Sequence, residues 1–93
     1  MPYISVDQQN MHATVTEAIS NADISGAGEL NFLLTKLALR YMEINGDRYA
    51  FMNDVVGAFE SAKAEFQRRV VNPYEKQKAH DTPQDPYEGR VNQ

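Results

Sequence analysis

The hydrophobic positions of the chain repeat at helical intervals in two long segments. The first begins at Glu29 and ends at the sequence INGD; its apolar stripe is Leu30, Leu33, Leu34, Leu37, Tyr41 and Ile44. The stripe of the second segment is Met52, Val55, Val56, Phe59, Ala62, Phe66 and Val70. Steps of about three and four residues place apolar side chains on one face of an α-helix. The pattern therefore predicts two amphipathic helices.

A short turn separates these two helices. Asn45 and Gly46 can form a left-handed C-cap for the first helix, and Asp47 can cap the helix that follows. Two long helices joined by so few residues pack against each other in opposite directions. The sequence thus predicts an all-α fold built on an antiparallel helical hairpin.

A weaker helix precedes the hairpin. Ser5 and Gln8 have the spacing of a capping box, and apolar residues then recur from Val6 to about Asn21. Because its middle, QQNMHAT, is polar, we expect a short helix that packs on the stronger pair. The next segment, NADISGAG, is rich in residues that favour turns and is predicted to be a linker.

A proline limits the last helix. Pro73 has no amide for the helical ladder and disfavours a helical conformation at Asn72, so the helix should end or kink near Val71. The segment after Ala79, HDTPQDPYEGRVNQ, has no apolar periodicity and predicts a disordered tail. We therefore expect one helical domain in residues 1–79 and a flexible tail in residues 80–93.

The length and composition favour self-association. A chain of 93 residues without cysteine has no disulfide framework, and its two histidines lie far apart in sequence. Small domains without such supports usually depend on oligomerisation, so a homo-oligomer is predicted. The sequence contains no membrane-spanning stretch and no signal peptide, which predicts a soluble, intracellular protein. The net charge of −4 argues against binding to duplex DNA.

Catalytic patterns are not found in the sequence. It has no cysteine nucleophile and no glycine-rich phosphate loop, and Glu60 and Glu65 are spaced so that they point in different directions on a helix. We therefore expect a protein that is not an enzyme, with no catalytic residues, no cofactor and no metal site.

The sequence FQRRVVNPYEKQK offers a candidate anion site. Arg68 and Arg69 could bind phosphate, and Tyr74 could stack on a base. Alternatively, the two arginines only complement the dipole of the helix C-terminus, and Tyr74 folds back on the core. A second polar set, Asn31, Thr35 and Lys36, flanks the apolar stripe of the first long helix. Asn31 and Thr35 share a face, where they could fix the register of an interface or bind a ligand.

Three stretches carry a resemblance to a known family. The sequences MPYI, GELNFLLTKL and AKAEFQRRVVNPYEKQK resemble a family of small, uncharacterised proteins from tailed bacteriophages. The resemblance covers residues 1–78 and implies a phage origin and residence in the host cytoplasm. A more distant analogy joins the chain to helical-hairpin sponges, with which phages sequester nucleotide signals of bacterial immunity.

Two functions follow from these expectations. In the first, the protein is a non-enzymatic host-defence antagonist, a homo-oligomer that binds an anionic nucleotide signal between protomers. The ligand would be a small cyclic nucleotide or an ADP-ribose-type molecule, held by Arg68, Arg69, Tyr74, Tyr3, Asn31, Thr35 and Lys36. In the alternative, a helical face blocks a host or phage protein. A structural virion component ranks third, because neither a long coiled coil nor a β-rich module is visible.

Overall fold

The computed structural model describes residues 2–87, and every regular element in that range is helical. The elements are α1 (Val6–Met11), α2 (Ala13–Ser20), α3 (Ala27–Asn45), α4 (Tyr49–Phe66), a π-helical segment (Gln67–Val71) and α5 (Asn72–Asp81). The all-α class expected from the sequence is confirmed. None of the helices between residues 2 and 87 is both long and apolar enough to cross a membrane.

The N-terminal helix is divided in two. It begins at the predicted capping box. The backbone amide of Gln8 donates to Ser5 Oγ at 3.2 Å, and the backbone amide of Ser5 donates to Gln8 Oε1 at 3.1 Å. The expected single helix is interrupted at His12, whose φ and ψ are −104° and 17°. The polar middle of this segment has no apolar face that packing could hold in one continuous helix.

Two glycines with positive φ bound α3. Gly26, at φ 90°, precedes its first residue, so Ala27 and Gly28 are helical rather than part of the predicted linker. Gly46 ends the helix at the expected place, but its φ of 110° and ψ of 161° are not those of the predicted left-handed C-cap. Its amide donates to the Met42 carbonyl at 2.7 Å. The prediction that Asp47 caps α4 is wrong. Helix α4 begins one residue later than that cap requires, with Arg48 at the N-cap and no side-chain hydrogen bond.

The chain remains helical through Pro73, so the helix does not end near Val71, which was one of the two outcomes predicted there. A proline ring clashes with the carbonyl four residues before it, here that of Arg69, and a π-helical turn widens the backbone at that point. The Asn72 amide accordingly donates to the carbonyl of Gln67, five residues back. Pro73 then occupies the first turn of α5, which continues to Asp81. Turns follow up to residue 87, and the rest of the predicted tail lies outside the described residues.

The contacts between α3 and α4 lie near the turn that joins them. Tyr41 and Phe51 meet edge to face with ring centroids 6.2 Å apart, and Tyr41 Oη donates to Asp54 Oδ2 at 2.7 Å. The backbones of α1 and α2 approach neither long helix within residues 2–87. The predicted packing of the N-terminal helix on the stronger pair is therefore not seen in a single chain.

A single chain covers little of its apolar surface. Among residues 2–87 no hydrophobic side chain is buried. The radius of gyration is 18.0 Å, whereas a compact domain of this length has roughly 12 Å. The predicted apolar stripes are present on α3 and α4, but most of their side chains face solvent.

Candidate functional site

The corner cluster consists of Tyr3, Glu65, Arg68 and Arg69, where α4 becomes the π-helical segment. Tyr3 Oη donates to Glu65 Oε2 at 2.5 Å and so connects the N-terminal segment to a residue 62 positions away. Arg68 donates to the same carboxylate from Nε at 3.0 Å and from Nη2 at 2.8 Å. This two-pronged geometry is the arrangement in which a guanidinium binds a carboxylate most specifically.

The charges in the corner cluster reinforce one another. The hydrogen bonds from Arg68 first, and from Tyr3 second, lower the pKa of Glu65 to about 2. The pKa of Tyr3 is raised, chiefly because its hydroxyl donates to Glu65, and the positive charge of Arg69 opposes that rise. The pKa of Arg68 is raised by the same carboxylate. At neutral pH the cluster therefore holds an ionised Glu65, a charged Arg68 and a neutral Tyr3.

This arrangement limits what Arg68 can do. A phosphate that approaches its guanidinium must compete with Glu65, whose side chain is only 20% exposed. Arg69 takes part in neither of the two ion pairs described for residues 2–87. Among the described residues, Arg68 is therefore the arginine of the pair that is engaged by a carboxylate.

The structure brings together three of the seven residues predicted to bind a ligand, namely Tyr3, Arg68 and Arg69. Tyr74 is exposed on α5, and no described hydrogen bond joins it to the corner cluster. Thr35 Oγ1 donates to the carbonyl of Asn31 at 2.8 Å, so these two residues interact within α3.

Lys36 follows Thr35 on the same helix, and this α3 set likewise has no described hydrogen bond to the cluster. The seven residues thus do not form one site in a single chain. Glu65 was missed as a partner, although its spacing from Arg68 is one at which helical ion pairs form.

An apolar cleft lies between the two long helices. This α3/α4 cleft has a volume of about 280 Å³ and is open to solvent; its walls are Leu37, Ala38 and Tyr41 of α3 and Asp54, Val55, Ala58 and Phe59 of α4. Its main polar feature is the hydrogen bond from Tyr41 to Asp54, which also raises the pKa of Tyr41. The cleft is suited to apolar side chains and offers no cation for a phosphate.

The opposite side of α3 exposes two apolar side chains among charged ones, which include Lys36 and Glu43. Phe32 and Leu39 are seven residues apart, so a helix places them on the same side, and both are more than half exposed. Lys36 lies between them, four residues after Phe32 and three before Leu39. We call Phe32, Lys36 and Leu39 the back face of α3. This face was not predicted, although the seven-residue spacing is present in the sequence.

The part of the chain that the structure describes contains no group of three or more histidine, aspartate or glutamate residues arranged to hold a metal ion. The corner cluster, the cleft and the back face are therefore the features from which a function can be argued. Their chemistry is that of binding, through ion pairs in the first and through apolar contact in the other two.

Comparison with known proteins gives one match. No curated protein and no solved structure is similar enough to match the chain. A family model described as a domain of unknown function, DUF6899, matches residues 1–84, which is nearly the whole chain. The chain therefore belongs to the DUF6899 family of domains of unknown function.

Proposed function

We propose that this protein is a non-enzymatic accessory factor that binds another protein through an exposed apolar face of a helix. The observation that carries the proposal is the double apolar character of α3. Leu37 lines the cleft on one side, and Phe32 and Leu39 form the back face on the other. Exposed apolar side chains on two sides of one helix offer two separate surfaces for binding.

The back face indicates the kind of partner. Phe32 and Leu39 require an apolar groove, and the ammonium group of Lys36 between them favours an acidic residue at the rim of that groove. Helix-in-groove binding of this type uses side chains spaced by three, four and seven residues. The resemblance to tailed-phage proteins supports a host or phage protein as the target, bound in the host cytoplasm.

The geometry supports protein binding better than nucleotide binding. Arg68 is already paired with Glu65 through two hydrogen bonds, and the cleft is apolar. Apolar side chains, by contrast, are exposed along the whole length of α3. Exposed apolar surface of this extent is typical of proteins that bind other proteins.

A photo-crosslinking experiment tests the proposal. Benzoyl-phenylalanine replaces Phe32 and is activated by light in host cells, and the protein that it crosslinks is identified. That protein is then purified, and calorimetry measures the affinity between it and the parent chain. Leu39→Asp should weaken binding at least about 30-fold, because it places a charge in an apolar contact. Lys36→Glu should weaken it roughly fivefold, with a loss of salt dependence.

The control is Ser61→Asp, a change on α4 away from both apolar stripes, which should leave the affinity unchanged. Crosslinks only to other copies of this chain would overturn the proposal. Equal affinities of the parent and of Leu39→Asp for the captured protein would do the same, because the back face would then not be the binding surface.

One observation favours a second function, the sequestration of an anionic nucleotide between protomers. The structure brings Tyr3, Arg68 and Arg69 to one corner, and two such corners in an oligomer would place four arginines around a ligand. Calorimetric titration with cyclic di- and trinucleotides and ADP-ribose isomers tests this function. A heat of binding that is lost in Arg68→Gln/Arg69→Gln would support it, and no heat for any compound would count against it.

A further inference from the structure

We infer that a second copy of this chain covers the α3/α4 cleft and that the two copies form a helical dimer through it. This interface is separate from the back face, so the inference does not depend on the proposed function. Three features support a second copy as the occupant of the cleft: the surface area of the chain, the position of α1 and α2, and the chemistry of the cleft.

The surface area of a single chain is larger than that of a compact monomer of the same mass. Its accessible surface is 8476 Å², whereas a compact monomer of 10.5 kDa exposes roughly 5,400 Å². The difference is about 3,000 Å², and each subunit of an obligate dimer buries about 1,000–2,500 Å². The excess surface of the whole chain, of which the cleft is one part, is thus large enough for an obligate interface.

The rest of the chain does not cover the cleft. Within residues 2–87, α1 and α2 approach neither α3 nor α4, and α5 continues away from the hairpin turn beyond the π-helical segment. No apolar side chain in this range is buried, so the fold gains stability from a partner that covers this surface. A second copy is present whenever the chain is present, so binding and folding can be linked.

The cleft has the chemistry of a helix–helix interface. Leu37 and Phe59 stand on its two walls, and the apolar stripe continues along α3 at Leu33 and Leu34. The hydrogen bond between Tyr41 and Asp54 already satisfies the hydroxyl donor, which lowers the cost of covering it. Because both walls are mainly apolar, a second copy can place the same apolar side chains against them, as an interface with two-fold symmetry requires.

Two leucines of α3 provide a matched test. Leu37 is 54% exposed and lines the cleft, whereas Leu39 is 56% exposed and lies on the back face. The chain has no cysteine, so Leu37→Cys and Leu39→Cys each introduce a single thiol. With a short bis-maleimide reagent, Leu37→Cys should give a covalent dimer in high yield and Leu39→Cys should give little. Equal yields, or a higher yield from Leu39→Cys, would overturn the inference.

Sedimentation of full-length variants gives an independent result. Leu37→Asp should raise the dissociation constant of the dimer at least about 30-fold, while Leu39→Asp should change it by less than about threefold. If Leu37→Asp fails to fold, the parent still decides, because a folded monomer at high micromolar concentration would overturn the inference. Since target binding is tested at Leu39 and dimerisation at Leu37, failure of one proposal is distinguishable from failure of the other.

Discussion

Phe59 provides the most quantitative test of the dimer. It lies in the α3/α4 cleft and is 42% exposed in a single chain. A phenylalanine has roughly 200 Å² to bury, so about 85 Å² of Phe59 remains for a second copy to cover. At about 25 cal/mol per Å², this area contributes about 2 kcal/mol per copy and about 4 kcal/mol per dimer.

Phe59→Ala should therefore weaken the dimer strongly. Since alanine retains the β-carbon, the loss is expected to be about 3–4 kcal/mol per dimer, which corresponds to an increase in the dissociation constant of about 10²–10³-fold. Phe32→Ala is the matched control, because Phe32 is 61% exposed but lies on the back face of α3. Its dissociation constant for the dimer should stay within about threefold of the parent's value.

Sedimentation equilibrium over a wide range of protein concentration measures both constants, with circular dichroism to show that helix content is kept. If the two alanine variants weaken the dimer equally, the dimer does not form through the cleft. If Phe59→Ala does not change the dissociation constant, a second copy does not cover Phe59, because a side chain that is covered on dimerisation must contribute to the affinity.

Three further predictions concern single features of the chain. The pKa of Glu65 is lowered to about 2 from 4.5, so its bonds stabilise the fold above pH 4.5 and are lost as the pH falls towards 2; NMR titration of the Tyr3 ring should show this transition, and Glu65→Gln should remove it. Pro73→Ala should convert the π-helical segment to α-helix and stabilise the protein by about 1–2 kcal/mol in urea denaturation. An unchanged free energy of unfolding would contradict this. Gly46→Ala should destabilise by about 1–2 kcal/mol because φ is 110°, whereas Gly57→Ala, in open space within α4, should stabilise by about 0.5–1 kcal/mol; thermal melts that rank them in reverse would refute the backbone argument.

The sequence predicted those elements that depend on local physics. The spacing of leucines defined α3, the capping box defined the start of α1, and Gly46 defined the end of α3, because each signal acts within one or two helical turns. The π-helical segment was not predicted. A proline ordinarily ends a helix, and the alternative of widening one turn ahead of Pro73 has no distinctive sequence pattern.

The candidate site was less predictable because it depends on contacts between distant segments. The bond from Tyr3 to Glu65 spans 62 residues, and nothing in the spacing of either residue indicates it. Glu65 and Arg68 lie close in sequence, yet their pairing competes with the anion site expected there. The coverage of the apolar stripes also cannot be read from one chain, because it requires a surface that another molecule supplies.

The two apolar faces of α3 can act together because of the helical period. Leu37 and Leu39 are two residues apart, which turns them roughly 200° from each other around the helix axis. A dimer formed through the cleft would therefore keep the back faces of both copies accessible. Two equal faces on one particle raise the apparent affinity for a multivalent target without any new contact. Leu37→Asp should accordingly lower the affinity for an immobilised, dense target but leave the affinity for a single target in solution unchanged, whereas Leu39→Asp should lower both. Equal losses in the two formats for Leu37→Asp would show that the cleft contacts the target directly.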